Sequence, residues 1–332
     1  MATINDVCRI AGVSKATVSR VINGTGQVKE STSARVQDAI QQLNYRPSSV
    51  AQALAKQEGT SIGLMLSDFS KSYVGTLLKQ ASLSSEMVGK QLLIADGHLQ
   101  PEKEIEAIYS LHEKKCGVIV LHGSLLTVEQ LIELNHDIDV PMVHVGRQLP
   151  PEAGYSISLN QGQLMRAAVT YLIESGHRNI TYVGPSWETH AYVARLNSFL
   201  ECIDQYSDLG CKGQFIESMH GIDMGYMMGK HLASNLGNCT AVICAGDDIA
   251  VGCIHAFKEA GINVPADVSV MGIDNDPYSA YMTPALTTMS VPIQEMIDRA
   301  LHVAKKLITS QEIFLPESFA GELIIRESTS AI

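Results

Sequence analysis

Near residue 60 the hydrophobic pattern of this 332-residue chain changes period, and that change limits its architecture more than any other feature. Before it, apolar residues recur at three- and four-residue spacing in short runs punctuated by Gly and Ser, the pattern of small helices. From Ser61 onward, short apolar runs alternate with helical stretches, the pattern of βα units on a parallel sheet. The length fits a small domain joined to a larger α/β body.

In the first part, Thr3 is placed to cap a helix starting at Ile4, with Asp6 in its first turn and Ile4, Val7, Cys8 and Ala11 on one face. Gly12 breaks the pattern where a tight turn is needed. Ser14 can cap a second helix over 15–23, with Val18, Val21 and Ile22 inward and Lys15, Ala16, Thr17, Ser19 and Arg20 outward. A third helix is expected over 33–43, capped by Ser31 or Thr32. Periodicity alone fits either a generic three-helix bundle or a helix-turn-helix whose second helix reads the major groove.

A net charge of −11 is unusual for a nucleic-acid binder, but residues 1–60 hold seven Lys/Arg against four Asp/Glu, which leaves them at +3 and the rest at −14. A basic head can engage phosphates while an acidic body stays clear. The seven cysteines are odd in number and none has C-x-x-C spacing. They are expected to be reduced core residues in a cytoplasmic protein, with neither zinc nor a disulfide framework. No apolar run is long enough to span a bilayer, and MATINDVCRI is not a signal peptide, so no membrane role is expected.

The string TINDVCRIAGVSKATVSRVINGTGQVKESTSARVQDAIQQLNYRP, and GVSKATVSRVIN within it, closely resembles the headpiece of the LacI/GalR family of bacterial repressors. The resemblance implies that Lys15, Ala16 and Arg20 read sequence, Arg20 pairing with a guanine and the Ala16 methyl meeting a thymine methyl. It also implies that Thr3, Ser14, Thr17, Ser19 and Asn23 set the register on phosphates. Residues 46–59 are expected to be a linker or, by the resemblance, a hinge helix that enters the minor groove, with Ala51 allowing close approach and Leu54 wedging between base pairs.

In the second part, strands are expected at 61–67, 91–96, 117–122, 141–146, 180–184, 240–245, 268–274 and about 322–326. Helices are expected at 73–88, 102–114, 127–135, 162–175, 191–205 and 247–259. The expected fold is an all-α headpiece (1–45) on an α/β core (60–332) of two doubly wound parallel-sheet lobes, like periplasmic sugar-binding proteins. The resemblance continues through HRNITYVG, DDIAVGCIHAFKEAGINVPADVSVMGIDN and TPALTTMSVP. It implies that lobe 1 takes residues of about 60–159 and 291–317, and lobe 2 those of about 160–290 and 318–330.

Ligands of open α/β sheets bind beyond the C-terminal strand ends. That rule selects Asp68 and Tyr73 after the first strand, His122, Gly123 and Ser124 after the third, and Arg147 and Gln148 after the fourth. In the second half it selects Trp187, Asp247, Asp248 and Asp274. The resemblance adds Arg195 and, with Asp274, makes it the chief effector contact. Simpler roles stand beside these: Asp247 or Asp248 capping the next helix, Trp187 a packed surface aromatic, Arg195 paired with a surface acid. One departure is Gly246, where relatives often carry Asn.

The chain therefore reads as a transcriptional repressor, a homodimer on a pseudo-palindromic operator, with a small sugar controlling operator affinity from between the lobes. The stretches GKQLLIADG, VPIQEMI and SFAGELIIRES lean toward galactose-type and aryl-β-glucoside operon repressors, hence a β-glucoside or galactoside-like effector. A purine or nucleoside effector, or a protein corepressor, is the alternative. No G-x-G-x-x-G after a strand, Walker A string, G-x-S-x-G or H-E-x-x-H points to an enzyme, and no cofactor is expected. No leucine heptad follows the last strand, so a coiled-coil tetramer is not expected.

Overall fold

Thr3 opens the first helix with its backbone extended, and its hydroxyl accepts the Asp6 N–H at 3.4 Å while the Asp6 carboxylate accepts the Thr3 N–H at 2.9 Å. This reciprocal cap satisfies donors that the first turn leaves over. Helix α1 (Ile4–Ala11) stops at Gly12, whose φ of +64° suits a residue without Cβ. Helix α2 (Lys15–Asn23) starts on Ser14, which accepts the Thr17 N–H at 3.3 Å.

Helix α3 spans Glu30–Gln42, so it begins three residues before the expected start at Ser33. Neither Ser31 nor Thr32 caps it. The Lys29 carbonyl already accepts from Thr32 and Ser33, and Glu30 lies favourably at the positive helix end. Val7, Ala11, Val18, Val36 and Ala39 form the buried centre. Five small side chains are a slender core, so each valine, worth roughly 1.5–3 kcal/mol on burial, matters.

The computed structural model describes residues 2–24, 26–45, 61–70, 73–186, 189–309, 311 and 317–332. Ala51, Leu54 and Trp187 lie outside the described residues. The chain divides into two compact units, Met1–Thr60 and Ser61–Ile332.

In the second unit, β1 (Ser61–Leu66), α4 (Val74–Met87), β2 (Gln91–Asp96), α5 (Pro101–Glu113), β3 (Cys116–His122), α6 (Val128–Asp137), β4 (Met142–Gly146) and β5 (Tyr155–Leu159) build the first lobe. The second lobe holds α7 (Gln161–Glu174), β6 (Asn179–Gly184), α8 (His190–Gln205), β7 (Lys212–Glu217), α9 (Ile222–Ser234), β8 (Ala241–Cys244), α10 (Asp247–Glu259), β9 (Ser269–Asp274) and β10 (Thr287–Ser290). Helix α11 (Ile293–Ile308) then packs against β3, β4 and β5, β11 (Glu317–Phe319) pairs with β5, and β12 (Glu322–Ile324) pairs with β10.

The sheet orders are β11-β5-β4-β3-β1-β2 and β12-β10-β9-β8-β6-β7. Every pairing is parallel except β10 with β12, so the second sheet carries one antiparallel edge strand that the sequence did not announce. The chain passes between lobes three times, after β5, β10 and β11. The first and third passages are tied where the Asn160 N–H donates to the Phe319 carbonyl at 3.0 Å.

Both sheets bury apolar strands between helices. β1 is buried along its whole length, and β6 is buried apart from its first residue. Helix α9, unanticipated in the sequence, packs on α10 through glycines. A Cβ on Gly225 would stand 2.2 Å from the Ile249 carbonyl oxygen, and one on Gly252 would stand 2.1 Å from that of Ile222. In this helix pair glycine secures backbone contact instead of breaking the helix.

Candidate functional site

In the first unit, α2 exposes Lys15, Ala16 and Arg20, while Thr17 and Ser19 are half-buried and Val18 points into the core. Ala16 and Arg20 are four residues apart and so share a face, one turn from the other. The helix has no acid in its first turn, so Lys15 adds to the positive end of its dipole, while Arg20 lies in the last turn. Thr3 and Ser14 are exposed, but their hydroxyls serve the helix starts: the Thr3 hydroxyl donates to Asp6 at 2.8 Å, and that of Ser14 lies 3.0 Å from the Thr17 hydroxyl. Asn23 is the last residue of α2. The Thr3 hydrogen bonds, its N–H foremost, hold the Asp6 carboxyl below its ordinary range.

In the second unit, the C-terminal strand ends of both sheets border a cavity of about 1150 Å³, open mouth included. Asp68 and Tyr73 line it from the first lobe, Arg195 and Asp274 from the second. Arg195 is only 5% exposed; its Nε donates to Gln161 Oε1 at 2.7 Å and its Nη1 to the Ala245 carbonyl at 3.1 Å. It lies 5.6 Å over the Tyr192 ring. Among the described residues it pairs with no surface acid, and its Nη2 has no hydrogen-bond partner, which leaves donors for a ligand.

Asp274 ends β9 with φ +110°, a conformation that side chains rarely adopt. Its neighbours enforce that turn. The Asn275 N–H donates to the Thr288 hydroxyl at 3.3 Å, the Asn275 side chain accepts from Arg326 at 2.7 Å, and the Asp276 N–H donates to Asp247 at 2.8 Å. Among the described residues nothing donates to the Asp274 carboxylate. Burial pushes its pKa well up, against the pull of the Arg195 guanidinium. Burial and the nearby Asp274 charge raise the Tyr73 phenol too, so it remains a neutral donor, its ring edge-on to His122 at 5.8 Å. Asp68 accepts the N–H and hydroxyl of Ser70 at 2.8 and 2.6 Å.

Asp247 requires a correction. It is fully buried, stands outside the cavity lining and does not cap its helix. Its oxygens accept from the Asp276 N–H, the Ser279 hydroxyl and, at 2.6 Å, the Thr288 hydroxyl. The strand-end rule locates such a residue but not the direction of its side chain, and here three donors draw it inward. It braces the turn that presents Asp274.

Gly246 has a local reason as well. A Cβ there would stand 2.4 Å from Asp248 Oδ1, and Asp248 is pinned by the N–H groups of Gly221 and Ile249, each at 2.8 Å. Burial pushes the Asp248 pKa up, but His220 and those two N–H groups together hold it below its ordinary value. Sequence reasoning missed Gln161, His190 and Tyr192, which also line the cavity. No motif marks them; they reach it because α7 and α8 start at the cleft.

A helix-turn-helix unit followed by a two-lobed α/β unit with a strand-end cleft defines a class, the DNA-binding regulators built on a periplasmic-binding-protein-like core. The family description "Bacterial regulatory proteins, lacI family" matches residues 3–48, and "Periplasmic binding protein-like domain" matches 169–329. The HTH-type transcriptional regulator AscG of Escherichia coli K12 is 30% identical over 340 residues, covering 100% of this chain and 99% of the relative. GalR of the same strain, also an HTH-type transcriptional regulator, is 32% identical over 337 residues, covering 99% and 96%. A crystal structure of the lac repressor dimer bound to operator and the anti-inducer ONPF has the same fold, with TM-score 0.87 over 99% of each chain at 23% identity. The chain belongs to the LacI family and is a DNA-binding transcriptional regulator. The named relatives are regulators, not enzymes. No described helix is long and apolar enough to cross a membrane.

Proposed function

We propose that this chain is a cytoplasmic repressor of a sugar-utilisation operon, a homodimer on a pseudo-palindromic operator, whose affinity for that operator is set by a β-glucoside or galactoside-like sugar in the cleft. The observation that carries this reading is the pair Arg195 and Asp274, a guanidinium with an open donor beside a carboxyl group that, among the described residues, has no hydrogen-bond donor, both lining the cavity with Tyr73 and Asp68 of the other lobe. A sugar offers hydroxyls that both donate and accept. A ligand that touches both lobes favours one lobe angle over another, and such a difference can be coupled to DNA affinity.

At the DNA, Lys15, Ala16 and Arg20 contact bases from the exposed face of α2, while Thr17, Ser19 and the starts of α1 and α2 set the register on phosphates. The homodimer is supported by apolar side chains around the open edge of the first sheet: Ile94 on β2, with Leu83 and the 86%-exposed Met87 on α4.

Thermal shift with aryl-β-glucosides, cellobiose, galactose, phosphosugars and nucleosides tests the reading. One sugar class should raise the melting temperature of the wild type but not of Arg195→Ala or Asp274→Ala. A shift with nucleosides alone would overturn the sugar effector, and no shift at all would favour a protein corepressor.

A further inference from the structure

We propose that Glu104 is a positioning residue of the cleft: its carboxylate takes the hydroxyl hydrogens of Ser67 and Ser124, so both serines meet the effector as acceptors and select a hydroxyl donor there. This rests on the sugar-effector reading and specifies which groups the first lobe accepts.

Glu104 lies in α5 with no exposed surface. The Ser67 hydroxyl donates to its Oε1 at 2.5 Å, the Ser124 hydroxyl to its Oε2 at 2.7 Å, and the Leu125 N–H to both oxygens at 3.1 Å. No cation pairs with it among the described residues. A buried carboxylate is costly unless hydrogen-bonded, and these donors all come from the loops that follow β1 and β3. Space is reserved for it: a Cβ on Gly97 would stand 2.6 Å from Glu104 Cγ.

Both serines also line the cavity. A serine hydroxyl has one hydrogen and two lone pairs. The other acceptor within reach of Ser67, the His122 carbonyl, is at 3.5 Å, so its hydrogen goes to the nearer, charged oxygen. Ser124 additionally accepts the Leu126 N–H at 3.3 Å, which leaves it one lone pair, while Ser67 keeps two. Toward the cavity the pair thus presents lone pairs backed by a buried negative charge. That surface welcomes a ligand O–H and repels an anion or a group that can only accept.

The test is calorimetric titration of the full chain with phenyl β-D-glucopyranoside and phenyl β-D-galactopyranoside, then with monodeoxyfluoro analogues of whichever binds. Fluorine replaces a hydroxyl that donates and accepts by an atom that cannot donate. At one ring position fluorination should weaken wild-type binding about ten-fold or more, a typical cost of leaving a buried polar group unpaired. In Glu104→Gln, whose amide donates to one serine and turns that serine's hydrogen toward the cavity, the same fluorination should cost less than about three-fold. Ser67→Ala and Ser124→Ala remove the acceptors while leaving the carboxylate in place; one of them should lose the penalty too, which keeps the test intact if Glu104→Gln fails to fold. Equal penalties in every protein, or no penalised position in the wild type, would overturn the proposal and leave the sugar reading standing. Failure of both glycosides to bind the wild type would overturn both.

Discussion

Asp247→Asn isolates the brace beneath the effector site. In the wild type, burial pushes the Asp247 carboxyl from an ordinary 3.8 to about 6, despite the hydrogen bonds from Ser279, Thr288 and the Asp276 N–H that favour the charged form. A difference of that size between folded and unfolded chains is worth about 3 kcal/mol at about 1.36 kcal/mol for each pH unit. The folded chain holds this proton to higher pH than the unfolded chain does. The associated stability is therefore fully present below 3.8 and is lost as pH rises through about 6. Asparagine has no such proton. Urea unfolding of both proteins, followed by circular dichroism between about pH 4 and pH 7, should show the wild type losing about 2–2.5 kcal/mol relative to the variant across that window. The difference between two proteins is the useful quantity, because Glu104, also raised by burial, titrates in both. Parallel pH profiles would refute the assignment of Asp247 as a buried, desolvated carboxylate.

Two further substitutions probe the frame. Ser14→Ala removes the α2 cap and should cost the helix-turn-helix unit about 1 kcal/mol, read as faster amide exchange in α2, while exchange in the second unit is unchanged. Gly225→Ala places a methyl 2.2 Å from the Ile249 carbonyl oxygen and should lower stability by about 1–3 kcal/mol or more in a denaturation experiment, since overpacked backbones must separate.

What could be read in advance was decided by local chemistry. Thr3, Ser14 and Gly12 announce helix boundaries because capping involves neighbours in sequence. Helix 247–259 is legible to the residue because its apolar positions are periodic and it follows a strand. Helix α9 was hidden because Gly225 and Gly229 resemble breakers until α10 lies against them. The strand β10, TTMS, was hidden because its threonines are buried through hydrogen bonds to Asp247 and Thr329, partners distant in sequence. At the cleft, the strand-end rule located Asp68, Tyr73 and Asp274 at its rim. It gave no side-chain direction, so it also selected Asp247, and it overlooked Glu104, a residue in the first turn of α5 whose role depends on two loops brought together by the sheet.

The account turns on coupling between the cleft and the DNA. Its most direct test is fluorescence anisotropy of the full chain on a labelled duplex obtained by operator selection, with and without the sugar that raises the melting temperature, at fixed salt. The account predicts that the sugar weakens operator binding at least about five-fold and that Arg195→Ala abolishes this response while still binding the operator. Identical operator affinity with and without a saturating, cleft-bound sugar would contradict it.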